Sequence, residues 1–513
     1  MLLCMGVLTM WAVPAKRITM KVQQPDGTML TLTQRGDEFF HYLMTEDGVM
    51  VRQNGQGYYY VDVVDGGLVP TKHLAHSLTE RSADEARLVE ILPDLQQLCR
   101  VAMQREPIAQ RARAARAPQR VAEVPATGNV NIPVLLVQYT DVKLSTDDPK
   151  AAFEGHINGD DYKAEGGYGS VKEYFEDQSG GKFMPQFDII GPITLDRGMK
   201  FYGENDENGN DKNAREMVIE ACRKADSHFD VDFTKYDNDG DGYVDIVYII
   251  YAGYGESNNV SKLENTIWPH QWQLASSMAF DGVMVSKYAC NNELDGWQGT
   301  TIDGIGTFCH EFSHCLGLPD FYPTDGSNGF GMESWSIMHY GNYNNSSRTP
   351  CGYTGYELDF LGWKDLVVID SPQDVTLNAM SEGGNAYKIV NDLNPNEYYV
   401  VENHQRSKWD MYAPAEGMLV IHVDYQASAW QNNSVNNFPS HQRMTVIPAD
   451  NKLTKDSQSG DTYPGTSGNT ELTAESKPAA TVYEGEYMGN IVPLLSAQTN
   501  RYCQHYYGRY NSH

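Results

Sequence analysis

His310, Glu311 and His314 lie in the run Gly306-Thr-Phe-Cys-His-Glu-Phe-Ser-His-Cys-Leu-Gly317-Leu-Pro-Asp320, which contains H-E-x-x-H. On a helix, histidines at this spacing fall one turn apart on one face, so both imidazoles can hold the same metal ion. Glu311, beside the first histidine, reaches over the metal as a base instead of binding it. Gly317 can take a positive φ and end the helix sharply, letting Asp320 swing back as a third ligand. Three protein ligands plus water is the open arrangement of a catalytic zinc, whereas closed structural sites take four. A thermolysin-like scheme, with Glu333 or Glu357 binding the zinc instead, is the alternative.

A helix carrying these groups needs a core to rest on. Ile305, Phe308, Phe312 and Leu316 recur at helical spacing and form its buried face. The near-continuous apolar runs from Asn131 to Tyr139 and from Ile246 to Ala252 read as buried strands of that core. Ser170-Val-Lys-Glu173 is a capping-box pattern that opens a helix through Asp177, and Gly180-Gly181 ends it.

Downstream stands Ser334-Trp-Ser-Ile-Met338-His-Tyr340-Gly341, which looks like the Met-turn of metzincin peptidases. Together, H-E-x-x-H-x-x-G-x-x-D and this turn resemble the immune inhibitor A-type family of secreted bacterial zinc metallopeptidases. Leu318-Pro-Asp-Phe-Tyr322 and Ile267-Trp-Pro-His270 fit the same family. The resemblance implies His310, His314 and Asp320 as zinc ligands, Glu311 as general base and acid, and Met338 as the supporting methionine. Tyr340 stands where the astacin-like Met-turn has a tyrosine, which implies donation to the oxyanion; a packed turn tyrosine is the plainer reading. Asp320 takes the place of the third histidine of astacins and serralysins. His270 and His339 read as structural or subsite residues.

A second metal motif runs Asp237-Asn-Asp239-Gly-Asp241-Gly-Tyr243-Val-Asp245. Its carboxylates and Gly242 match the first part of an EF-hand loop, but Tyr248 replaces the closing glutamate and the chain leaves as a strand. The expectation is a structural calcium held by Asp237, Asp239, Asp241 and Asp245, completed by the Tyr243 carbonyl or a distant ligand. A solvated acidic turn is the alternative.

The chain has 513 residues, 41% hydrophobic, which allows about three domains and a full core without disulfides. Asp and Glu number 68 against 39 Lys and Arg, a net charge of -29, and that field repels a phosphate backbone, which disfavours nucleic acid as a partner. Eight cysteines without a C-x-x-C pair make a thiolate zinc site improbable; Cys290 with Cys309 is the pairing expected of any disulfide.

The expected architecture is multidomain α+β. Residues 1–15 read as a secretory signal lacking its basic leader, consistent with a start truncated upstream. Residues 16–99 read as a small β-rich pro-region, with an antiparallel meander from Met29 to Val64 and helices broken at Pro93. Cys99 is weakly placed as a cysteine switch on zinc. Residues 100–127 hold six arginines in an exposed processing linker open to an Arg-specific protease, or else an amphipathic surface helix. Residues 128–365 form the metzincin-like α/β catalytic domain, and residues 366–513 a β-sandwich-like domain whose last stretch from Ile491 does not read as a strand pair.

The function these readings support is a zinc-dependent endopeptidase acting on extracellular proteins or peptides, made as a zymogen, secreted or associated with the bacterial surface, with no membrane span. The rivals are a non-enzymatic adhesin or glycan-binding protein with structural zinc, and a narrow glycoprotein-directed peptidase.

Overall fold

The computed structural model describes residues 11–37, 40–103, 123–206, 211–258, 265–296, 298–371, 373–391, 394–480, 482–483, 490–496 and 501–507. The chain is a mixed α/β protein whose described strands form four sheets.

The largest is a seven-stranded sheet built from β1 (Trp11–Ala12), β2 (Gly128–Gln138), β3 (Phe183–Thr194), β4 (Tyr243–Val244), β5 (Val247–Tyr254), β6 (His270–Phe280) and β7 (Val283–Leu294), in the order β1-β6-β7-β5-β2-β3 with β4 beside β7. Its central strands β2, β3, β5 and β7 run parallel, while β6 and then β1 close one edge antiparallel. Parallel strands buried on both faces need continuous apolar sequence. The runs at Val134–Val137 and Val247–Ala252 supply it and are fully buried.

Helices α1 (Val171–Ser179), α2 (Ala214–Phe229), α3 (Ile305–Cys315) and α4 (Gly355–Phe360) surround this sheet. In α1, Ser170 and Glu173 form the reciprocal capping box, and Gly180, in the left-handed region at φ 60°, ends the helix. The expected apolar face of α3 packs on the sheet: Phe308 stacks on Tyr248 with ring centroids 3.8 Å apart, and Phe312 contacts Phe175, Phe183 and Phe187. Yet every residue of α3 is buried, the polar face included. Gly306 allows this closeness, because a Cβ there would collide with the carbonyl oxygen of Asn342.

A five-stranded sheet follows: Val367–Ile369, Tyr387–Asn391, Asn394–His404, Gly417–Asp424 and Met444–Val446. Its alternation has period two with both faces buried. Val400, Leu419, Ile421 and Val423 join the core of the large sheet, while Tyr399, Val401, Met418 and Val420 join a second cluster with Ile369 and Leu377. The principal core therefore runs without a break from Val124 to Val446.

A three-stranded sheet pairs Asp374–Leu377 with Arg501–Tyr507, which in turn pairs with Asn490–Ser496. Here the expectation of no closing strand pair is corrected: Ile491, Leu494 and Tyr502 belong to two antiparallel strands, whose partner at residues 374–377 lies far away in sequence.

Residues 19–74 form a six-stranded antiparallel meander, followed by helices Ala83–Ile91 and Leu95–Met103 on either side of Pro93. Leu30, Leu32 and Tyr60 pack on one face; Phe40, Val61, Leu98 and Cys99 pack on the other.

Cys99 is thus part of this small core and not of the metal centre, so the cysteine-switch expectation is corrected; burial pushes its thiol up to about 12. Cys290 and Cys309 are both buried and free, which corrects their expected pairing. Of the Arg-rich linker, residues 104–122 lie outside the described residues. Among the described residues, no helix is long and apolar enough to cross a membrane.

Candidate metal centre and active site

The helix carrying the histidines ends as its sequence demands. Gly317 sits at φ 104°, the Gly317 amide donates to the His314 carbonyl and the Leu318 amide to the Ser313 carbonyl, which is a Schellman cap. The chain then doubles back and brings Asp320 over the two imidazoles.

His310 Nδ1–H donates to the Ile337 carbonyl at 2.7 Å and His314 Nδ1–H to the Leu318 carbonyl at 2.8 Å. A carbonyl can only accept, so both rings are fixed with the proton on Nδ1 and a lone pair on Nε2. Those Nε2 atoms are 3.1 Å apart, and Asp320 Oδ1 lies 3.2 and 3.3 Å from them. Three lone-pair atoms thus converge in a site with no solvent exposure, and Asp320 Oδ1 has no hydrogen bond. Acceptors crowded this way repel one another unless a cation lies between them, and a set of two imidazoles and one carboxylate suits zinc. Among the described residues, His310, His314 and Asp320 form one of two groups able to hold a metal ion.

Asp320 is aimed from far along the chain. Its amide donates to Asn433 Oδ1 at 2.8 Å, and Asn433 Nδ2 donates to Asp320 Oδ2 at 2.6 Å, leaving Oδ1 to face the histidines. Sequence reasoning missed Asn433, which lies 113 residues from Asp320 in a segment without a recognisable motif. Substituting Asn433 by Ala is expected to weaken zinc binding about 10- to 100-fold while the fold persists, as measured by competition against a chromophoric chelator.

Glu311 is buried beside this centre; its Oε1 accepts the Val13 amide at 2.9 Å and its Oε2 has no hydrogen-bond partner. Burial pushes its carboxyl well above the ordinary value. The turn at Ser336–Gly341 underlies the centre. Ser336 Oγ accepts the Met338 amide and donates to Glu357 Oε1, and the Met338 carbonyl accepts the Phe321 amide. Met338 is fully buried there.

The alternative zinc ligands are engaged elsewhere. Glu357 closes the capping box of α4 with Thr354, and Glu333 pairs with Arg17. His339 Nδ1 accepts the Glu333 amide at 2.7 Å, and burial keeps the ring neutral. His270 Nδ1–H donates to the Trp268 carbonyl while Nε2 accepts Tyr288 OH, with its pKa pressed down to about 4 by burial. Both histidines are thereby tied into the framework.

Residues 11–17 lie across the site. β1 pairs with the edge strand β6, setting Ala12 opposite His270, and Val13, Pro14 and Ala15 are buried. The Val13 carbonyl accepts Trp268 Nε1–H, the Pro14 carbonyl accepts Tyr343 OH at 2.7 Å, and Tyr340 OH reaches the Ala15 carbonyl at 3.5 Å. Sequence reading places residues 11–15 in a leader and Lys16 and Arg17 at the start of the pro-region, and gives no sign that they cover Glu311.

The second metal motif is a tight loop. Carboxylate oxygens of Asp237, Asp239 and Asp245 come within 4.8 Å of one another. The Asp241 amide donates to Asp237 and Asp239, and the Tyr243 amide donates to Asp241. Asn238 ties the loop to β2 through the Asn131 amide, and its Nδ2 donates to Asp245 Oδ2. Burial raises the Asp245 carboxyl to about 6.

The chain is 29% identical over 281 residues to immune inhibitor A of Bacillus thuringiensis subsp. alesti, covering 46% of this chain and 41% of that protein. It is 27% identical over 214 residues to the pre-pro-metalloprotease PrtV of Vibrio cholerae serotype O1 (strain M66-2), covering 37% of this chain and 23% of that protein. The chain thus spans less than half the length of these curated relatives. Residues 150–364 match the family described as immune inhibitor A peptidase M6, catalytic domain, a span that contains α3, the aspartate after it and the Met338 turn. Over residues 150–364 the chain is thus similar to the immune inhibitor A peptidase M6 family.

Proposed function

We propose that this protein is a secreted zinc endopeptidase made as a zymogen, with His310, His314 and Asp320 holding the metal. The observation that carries the reading is the convergence of three buried lone-pair atoms beside a buried carboxylate that belongs to no ligand set. A purely structural zinc, as in an adhesin, has no use for Glu311 at that place.

Zinc bound there supplies a Lewis acid that polarises the scissile carbonyl and lowers the pKa of a bound water toward about 7. Glu311 takes the proton of the attacking water and returns it to the leaving nitrogen as the C–N bond breaks. Tyr340 OH, near the carbonyl of the chain that lies in the cleft, donates to the oxyanion that develops on the substrate carbonyl. Met338 floors the centre. Asp237, Asp239, Asp241, Asp245 and the Tyr243 carbonyl would hold a calcium ion, which would pin the loop before β5.

Residues 16–99 act as the pro-region, residues 100–127 as the linker cut by an Arg-specific protease, residues 128–365 as the catalytic domain and residues 366–513 as the C-terminal β-sandwich-like domain. Processing upstream of Val13 leaves the contact with Glu311 in place, whereas processing after Ala15 removes it; N-terminal sequencing of the secreted protein distinguishes the two. The chain cut in its linker is expected to hydrolyse casein, to lose at least about 99% of that activity on chelation and to regain it with zinc. Activity that survives complete removal of metal overturns the reading.

A further inference from the structure

The segment in the cleft is bound in two different ways. From Trp11 to the Lys16 amide its hydrogen bonds with the large-sheet core use the backbone, with the Ala15 side chain packed on Trp268: the pairing with β6, the Val13 amide on Glu311, the Val13 and Pro14 carbonyls, and the Lys16 amide on the Ser257 carbonyl. Backbone pairing of this kind holds any extended peptide and selects no sequence.

At Lys16 and Arg17 the side chains take over. Arg17 meets Glu333 through two parallel hydrogen bonds, Nη1 to Oε2 at 2.6 Å and Nη2 to Oε1 at 2.7 Å, with its guanidinium over the Tyr340 ring, 3.6 Å from the centroid. Lys16 Nζ lies 2.5 Å from Asp295 Oδ1. A planar fork clamped by one carboxylate and one aromatic face is specific for arginine and is not reproduced by lysine.

The pocket is part of the active-site framework. Glu333 is 4% exposed and occupies the left-handed region at φ 47°, where a non-glycine residue is disfavoured, and its amide is fixed by His339 Nδ1. Tyr340 follows His339 on the Met338 turn, so the groups that hold Arg17 and those that frame the metal share one loop. A carboxylate held at such a backbone position, beside the cleft of a protein with net charge -29, suits a cationic ligand.

We propose that Glu333 with the Tyr340 ring is the enzyme's subsite for an arginine side chain of the substrate, that Asp295 receives the cationic residue before it, and that residues 13–17 occupy the cleft as a pseudo-substrate. The substrate class is polypeptides with a basic pair three and four positions C-terminal to the residue whose amide faces Glu311. This rests on the peptidase reading above.

Two measurements separate the pocket from the activity. In the uncut chain, with cleavage after Arg17 scored by mass spectrometry only on molecules whose linker is still intact, trypsin is expected to cut there at least about 30-fold faster in Glu333→Gln than in the wild type, a result that needs no catalysis by the protein itself. Equal rates overturn the pocket. In the chain cut at its linker, the peptide Ala-Val-Pro-Ala-Lys-Arg-Ile is expected to inhibit casein hydrolysis about 30- to 100-fold more tightly than its Arg→Ala form. In Glu333→Gln that ratio falls to within about threefold, with the constant for the Arg→Ala peptide unchanged. Casein hydrolysis with equal constants for the two peptides overturns the subsite and leaves the peptidase reading standing. No hydrolysis by the wild type overturns both the reading and the substrate class. If trypsin cuts Glu333→Gln throughout, Tyr340→Leu replaces it and the two peptides are compared by direct binding instead of inhibition, because Tyr340 also serves the oxyanion; the affinity ratio is expected to drop about tenfold, and an unchanged ratio is the contrary result.

Discussion

Glu311→Gln lowers kcat for casein by a factor on the order of 10²–10⁴ while the protein keeps its zinc. The size follows from what glutamine preserves and what it loses. Its amide fills the same buried space, and its oxygen can still accept the Val13 amide that Oε1 accepts at 2.9 Å. It cannot take a proton, and proton transfer from water to the leaving nitrogen is the only task assigned to this side chain. The metal stays because His310, His314 and Asp320 converge without Glu311. A variant that loses zinc in step with activity would place Glu311 among the ligands and contradict the assignment.

The second large effect concerns latency. The uncut chain, starting at Met1, is expected to hydrolyse casein about 10²- to 10³-fold more slowly than the same chain cut within residues 104–122. Residues 13–17 are tethered to the site they cover, so their effective concentration is in the millimolar range, and even a micromolar intrinsic affinity keeps all but about 0.1% of molecules closed. On the zymogen proposal, linker cleavage would let the segment before it leave as a separate piece, and dilution would then open the cleft. Val13→Pro, which removes the N–H that Glu311 accepts, is expected to raise the activity of the uncut chain toward that of the cut one. Equal rates before and after cleavage would falsify the zymogen proposal.

The parts of the site visible in the sequence are those set by local spacing. His310 and His314 share a face because a helix has a fixed period, and Gly317 marks the turn because only glycine takes φ 104° without strain. The apolar face of α3, the capping box of α1 and the meander from Met29 to Val64 were legible for the same reason. The parts that were not visible depend on distant pairings. Asn433 reaches Asp320 across 113 residues, and Val13 reaches Glu311 across 298. Neither carries a local pattern: an asparagine in a polar loop and a valine in an apolar run look the same wherever the fold later places them.

The core shows the same division. Alternation marked strands beyond Trp363, but not that one face of the five-stranded sheet packs into the core of the large sheet through Val400, Leu419 and Ile421. The C-terminal pair at Asn490–Ser496 and Arg501–Tyr507 is a local hairpin, but Pro493 within its first strand reads as a strand breaker.

The central claim is a single zinc on His310, His314 and Asp320 with Glu311 as its base. Its most direct test is casein hydrolysis and zinc content measured on the same samples of linker-cut wild type and Glu311→Gln. The account predicts one zinc per chain in both and hydrolysis only in the wild type. A wild type that holds zinc and cleaves nothing, or a Glu311→Gln chain as active as the wild type, contradicts it.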